Sequence, residues 1–141
     1  MYRDKMNELK KWKNSTTRKP LIIRGARQVG KTWLMKEFGK QCYKKYAYIN
    51  FDDNSRMDKL FEEDFDLDKI IQGLKIESNV NIEPENTLII LDEIQETPKA
   101  LKALKYFYEN ANQYHIVSAG SDCLEYDDGK EPHGADWRRS G

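Results

Sequence analysis

Cysteine, histidine and proline are scarce in this chain of 141 residues, which holds two, two and four of them. Cys42 and Cys123 lie far apart without metal-ligand spacing, so neither a disulfide framework nor a zinc site is encoded, and a reducing, cytoplasmic setting is expected. Charge of one sign is missing too, since 24 basic and 24 acidic residues cancel. That balance removes any global pull toward nucleic acid or an anionic membrane. No apolar run approaches the ~20 residues of a membrane span. The opening Met1-Tyr2-Arg3-Asp4-Lys5 has no apolar signal region, so no membrane partner and no export are expected. What remains is a composition 38% hydrophobic and 34% charged, polar but globular, of a length that makes one domain with a real core.

One stretch organises the rest. Gly25-Ala26-Arg27-Gln28-Val29-Gly30-Lys31-Thr32 matches G-x-x-x-x-G-K-[ST], the phosphate-binding loop. A chance match is expected in about one chain in a few hundred of this length, and the flanks make chance rarer still. Leu21-Ile22-Ile23, entered through Pro20, reads as a strand. Thr32 to Phe38, with Leu34 and Phe38 on one side, reads as a helix fading near Gly39 to Lys44. Glycines let successive N–H groups point inward, and the helix aims its positive end at the same spot. Residues 25–32, with Trp33 following, are the expected nucleotide contacts; Lys31 offsets phosphate charge and Thr32 holds Mg²⁺. Arg27 has two open readings, pairing with a phosphate or with an acidic neighbour.

The remaining chain alternates strands and helices. Residues 4–13 form a short amphipathic helix, packed on the sheet edge or bringing Trp12 to the nucleotide base. Tyr46 to Phe51 reads as a strand, Arg56 to Glu63 as a weak helix, and Asp66 to Ile76 as a better one. Thr87-Leu88-Ile89-Ile90-Leu91 is the most apolar run. A strand apolar throughout implies a sheet covered on both faces, hence parallel strands with crossover helices. Thr97-Pro98 opens a helix reaching about Asn112. Tyr114 to Ala119 is a fourth strand, in which His115 is a packed core residue and not a base. Residues 122–141 hold almost no aliphatic residues and read as a poorly ordered tail after a core of residues 1–121.

The apolar strand runs straight into Asp92-Glu93. Asp92 at the carboxyl end of a parallel strand is suited to hold Mg²⁺ through its water shell. Glu93 is suited to orient and deprotonate an attacking water. Ser118 or Ser121, at the end of the fourth strand, is a candidate γ-phosphate sensor, and the residues do not choose between them.

Arg24 to Thr32, Tyr48-Ile49-Asn50-Phe51, Leu91-Asp92-Glu93-Ile94-Gln95 and His115 to Ser121 together resemble the prokaryotic AAA-superfamily ATPases. The resemblance covers about residues 1–121. It implies an α/β, three-layer P-loop NTPase core with a mainly parallel sheet, in which the fourth strand inserts between the first and third to give the order 1-4-3-2. Relatives continue past the Gly-Ser turn into a fifth strand beside the first, arginine-bearing elements and a second domain. Here the fifth strand is expected to be missing, as in a truncated or frame-shifted copy, and Arg138 and Arg139 are poor substitutes for a catalytic arginine.

Two functions follow. One is Mg²⁺-dependent ATP binding and hydrolysis, weakened in so short a chain. The other is a nucleotide-binding remnant or regulatory module without turnover. Small-molecule phosphotransfer is disfavoured by the carboxylate directly following Asp92. ATP against GTP, and a homo-oligomer against a partner protein, stay open.

Overall fold

A computed structural model of the chain describes residues 2–24, 29–62, 66–120 and 135–136. In chain order the elements are α1 (Tyr2–Asn14), β1 (Leu21–Arg24), α2 (Val29–Cys42), β2 (Lys45–Asn50), α3 (Ser55–Glu62), α4 (Leu67–Ser78), β3 (Thr87–Asp92), a 3₁₀ turn (Ile94–Glu96), α5 (Pro98–Asn110), β4 (His115–Gly120) and β5 (Ala135–Asp136). Gly25, Ala26, Arg27, Gln28 and Ser121 lie outside the described residues, as does most of the tail read from residue 122 onward.

β3 and β4 are buried at every residue, and both owe this to their position. The sheet order is β2-β3-β4-β1-β5, so each has a strand on either side and helices above and below. β4 runs parallel to β1 on one flank and to β3 on the other. This is the expected 1-4-3-2 arrangement, with the late strand inserted at the centre. To it the structure adds β5, parallel to β1, pairing Ile23 with Ala135 and Arg24 with Asp136. The flank of β1 expected to be bare is therefore paired over its last two residues, directly before the phosphate loop. A two-residue strand leaves no period to read, which is why the sequence did not disclose it.

Side-chain alternation divides the core into two layers. Ile22, Ile49, Leu91 and Ile116 point toward α3, α4 and α5, where they meet Phe61, Ile70, Leu74 and Leu104. Ile23, Leu88, Ile90 and Val117 point the other way, toward Met6, Leu9 and Trp12 of α1 and Leu34, Met35 and Phe38 of α2. On this second side α2 comes unusually close to β2. A Cβ added to Gly39 would lie 2.7 Å from the Cβ of Tyr46, well inside van der Waals contact. Gly39 is thus a contact point inside a helix that ends at Cys42, within the expected stretch Gly39 to Lys44.

Trp12 resolves as a packing residue. Its indole N–H donates to the carbonyl of Lys19 at 2.6 Å, and its ring stands edge-on to Phe38 and His115. That cluster lies where β4 begins, whereas the site described below is where β4 ends. His115 is buried, with Nδ1 2.6 Å from the Tyr43 hydroxyl. Burial first, then the cations Arg18 and Lys13, pull its pKa down to about 4 from the ordinary 6.5. The folded chain therefore resists a proton that the unfolded chain accepts. Stability from this group is retained above about pH 6.5 and is lost progressively toward pH 4. Chemical unfolding at stepped pH should show this loss in the wild type and a flatter profile in His115→Gln, which keeps an acceptor for Tyr43 without a titrating ring. Parallel profiles would remove His115 as the cause.

Candidate functional site

The carboxyl ends of β1, β3 and β4 converge with the first turn of α2. This is where parallel α/β sheets bind ligands, because the strand order reverses there and leaves a crevice. Between the end of β1 at Arg24 and the start of α2 at Val29 the chain has only residues 25–28. The opening turn of α2, with amide N–H groups that have no partner within the helix, therefore faces the same crevice. A Cβ added to Gly30 would meet nothing within 4 Å, so the space beside this turn is open among the described residues. Trp33 follows on the same turn with about half its surface exposed.

Lys31 and Thr32 reach inward from that turn. The Lys31 ammonium donates to the carbonyl of Gly120, the last residue of β4, at 3.0 Å. The Thr32 hydroxyl donates to Oδ2 of Asp92 at 2.7 Å. Asp92 ends β3 and is 5% exposed. A carboxylate so enclosed must be satisfied by donors, and three provide for it. Besides Thr32, the Tyr48 hydroxyl donates to Oδ2 at 2.7 Å, and the backbone N–H of Glu93 donates to Oδ1 at 3.0 Å.

Glu93 bends the chain away from the sheet. Its backbone is left-handed, at φ 56° and ψ 42°, a conformation that costs a non-glycine residue about 1–3 kcal/mol. The 3₁₀ turn begins at the next residue and is pinned by Ile94, which is completely buried. Gln95 on that turn donates from Nε2 to Oε1 of Glu93 at 2.8 Å. The base candidate is thereby fixed at both backbone and side chain.

The structure thus brings Lys31, Thr32, Asp92 and Glu93 to one crevice, with Gly30 and Trp33 beside them; of Val29 only the backbone is described, opening α2. It does not bring Ser118 there. Parallel pairing sets Asp92 beside Ala119 and Leu91 beside Ser118, so Ser118 points through the opposite face of the sheet from Asp92. Its hydroxyl is completely buried without a hydrogen-bond partner among the described residues. Ser121, the other sensor candidate, is not described.

Three neighbours of the site were given no role in the sequence: Tyr48 and Gln95, which stand in the blocks of the resemblance, and Lys36. Lys36 lies one turn along α2 from Thr32, with its ammonium 4.1 Å from the centre of the Tyr48 ring. Burial, then the bond to Asp92, push the Tyr48 phenol far above its ordinary value, so it stays protonated and acts as a donor. For Tyr48 the period of β2 was a further signal, since it puts Tyr46 and Tyr48 on one face.

A hydroxyl and a carboxylate at 2.7 Å are hard oxygen donors of the kind Mg²⁺ takes. Among the described residues no group of three or more His, Cys, Asp or Glu side chains forms a metal cage. Mg²⁺ in phosphoryl-transfer sites uses one or two carboxylates together with substrate phosphates, so this donor set fits it.

A family model described as an AAA domain matches residues 17–132, from just ahead of β1 to well past β4. This chain belongs to that AAA domain family. No curated protein matches it. The AAA domain match begins after α1 and includes the phosphate-loop stretch, Asp92-Glu93 and both candidate serines. It supports a nucleotide-binding, ATPase-like core, in agreement with the sheet order. Among the described residues of this AAA domain, no helix is long and apolar enough to cross a membrane.

Proposed function

We propose that this AAA domain binds ATP together with Mg²⁺ through residues 25–32 and hydrolyses it slowly. The observation that carries the reading is the Thr32–Asp92 hydrogen bond of 2.7 Å, which joins the helix after the glycine loop to the acidic end of β3. The amides opening α2 and the Lys31 ammonium offset the negative charge of the phosphates. Thr32 and Asp92 would hold the metal, which would supply positive charge against the phosphates. Glu93, held by Gln95, orients a water and takes its proton. The expectation of slow turnover rests on the described arginine side chains alone, both of which are engaged elsewhere. Arg18 donates to the carbonyl of Asn112 and Arg56 to Glu77. An arginine at the transferred phosphate contributes roughly 10³–10⁵-fold in related systems.

A second reading, binding without turnover, draws on the same Gln95–Glu93 bond, which holds the carboxylate even without substrate. One experiment separates the two. ATP binding is followed by calorimetry with MgCl₂ and with EDTA, and phosphate release is measured on the same preparation. Mg²⁺-dependent binding with slow release is the expected result. Binding without release selects the second reading, and no binding overturns both.

A further inference from the structure

Tyr48 belongs to no part of the phosphate loop or the acidic strand end, yet it touches the residue that joins them. We propose that Tyr48 is a positioning residue for the Asp92 carboxylate and sets how tightly the site takes Mg²⁺. The inference rests on the reading of Thr32 and Asp92 as metal-holding residues and extends it to a third element, β2.

The placement follows from register. β2 and β3 run parallel with Tyr48 beside Ile90 and Asn50 beside Asp92. Tyr48 is therefore on the same face as Asp92 and one pleat behind it, a diagonal that an aromatic side chain can span. Its hydroxyl arrives 2.7 Å from Oδ2, the oxygen that also accepts from Thr32 at 2.7 Å. Oδ1 accepts from the Glu93 amide. The carboxylate is thus fixed by donors from α2, from β2 and from the turn after β3, and rotation about its side chain would break all three bonds.

The phenol suits this role for two reasons. It has a single proton, and that proton is given to Oδ2 of Asp92. Its ring is also held, because the Lys36 ammonium stands over it at 4.1 Å, a cation–π contact that ties the tyrosine to α2. Partners that orient a ligating carboxylate commonly govern metal affinity, and their loss costs about 10–100-fold. Without the Tyr48 hydroxyl, Asp92 keeps its bond to Thr32 and loses the restraint from the sheet.

The test compares wild type with Tyr48→Phe, which removes one oxygen and keeps the ring. ATP affinity is measured by calorimetry across a MgCl₂ series and in EDTA, and direct Mn²⁺ binding is followed by electron paramagnetic resonance. The expected result is an unchanged affinity in EDTA with half-saturating Mg²⁺ raised about tenfold or more, and weaker Mn²⁺ binding. Tyr46→Phe, on the same strand and face, should leave both metal readouts unchanged. Tyr48→Met also lacks the hydroxyl and serves if the phenylalanine variant does not fold. Equal metal dependence in wild type and variant overturns the inference, including when the variant melts earlier, because a purely structural tie would lower stability alone. If the wild type shows no Mg²⁺-dependent ATP binding, the functional reading falls first and this inference with it.

Discussion

Glu93→Gln should bind ATP as the wild type does and release phosphate more slowly by on the order of 10²–10⁴-fold, the usual worth of a general base. The substitution is close to isosteric and its surroundings explain why binding should survive. Gln95 donates to Oε1 of Glu93, and a glutamine carbonyl accepts the same bond. The Glu93 amide that holds Asp92 is backbone and does not change. What disappears is the capacity to take a proton from water. Single-turnover phosphate release, paired with calorimetry on the same protein, reads the two quantities separately. Unchanged release in the variant would remove Glu93 from the mechanism.

Lys31→Ala should weaken ATP binding by about tenfold to 150-fold, the equivalent of one charge-assisted hydrogen bond of 1.5–3 kcal/mol. Stability should hardly move. The ammonium's bond to the Gly120 carbonyl is partly exposed, and alanine is a better helix former than lysine in the first turn of α2. Loss of affinity without loss of melting temperature is therefore the signature, checked by calorimetry and thermal unfolding of the same variant. Wild-type affinity in the variant would separate residues 25–32 from nucleotide binding.

Much of this was legible before the fold was known, and the reasons are local. Thr87 to Leu91 is apolar at successive positions, which only a strand covered on both faces can use, so the parallel architecture followed from one run. The glycine loop, its flanks and Asp92-Glu93 carry their spacing in the chain. What was not legible depends on contacts between separate elements. Nothing in the sequence marks the role of Gly39, which is set by Tyr46 pressing against it. Ser118 was a sensor candidate from its place near the end of β4, a strand too uniformly apolar to tell which side its hydroxyl takes. Tyr48 shows its purpose only when β2 is aligned with β3 and α2 is laid across both. β5 is too short for any pattern at all.

Glu93 sits where an L-amino acid other than glycine is uncomfortable, at φ 56°. Selection for a durable fold alone would replace it, since glycine adopts that torsion freely and asparagine nearly so. A library sorted only for folded protein should accordingly drift toward Glu93→Gly, and the same library sorted for turnover should purge it. The bend after β3 is thus a point where the demands of persistence and of chemistry pull one codon in opposite directions.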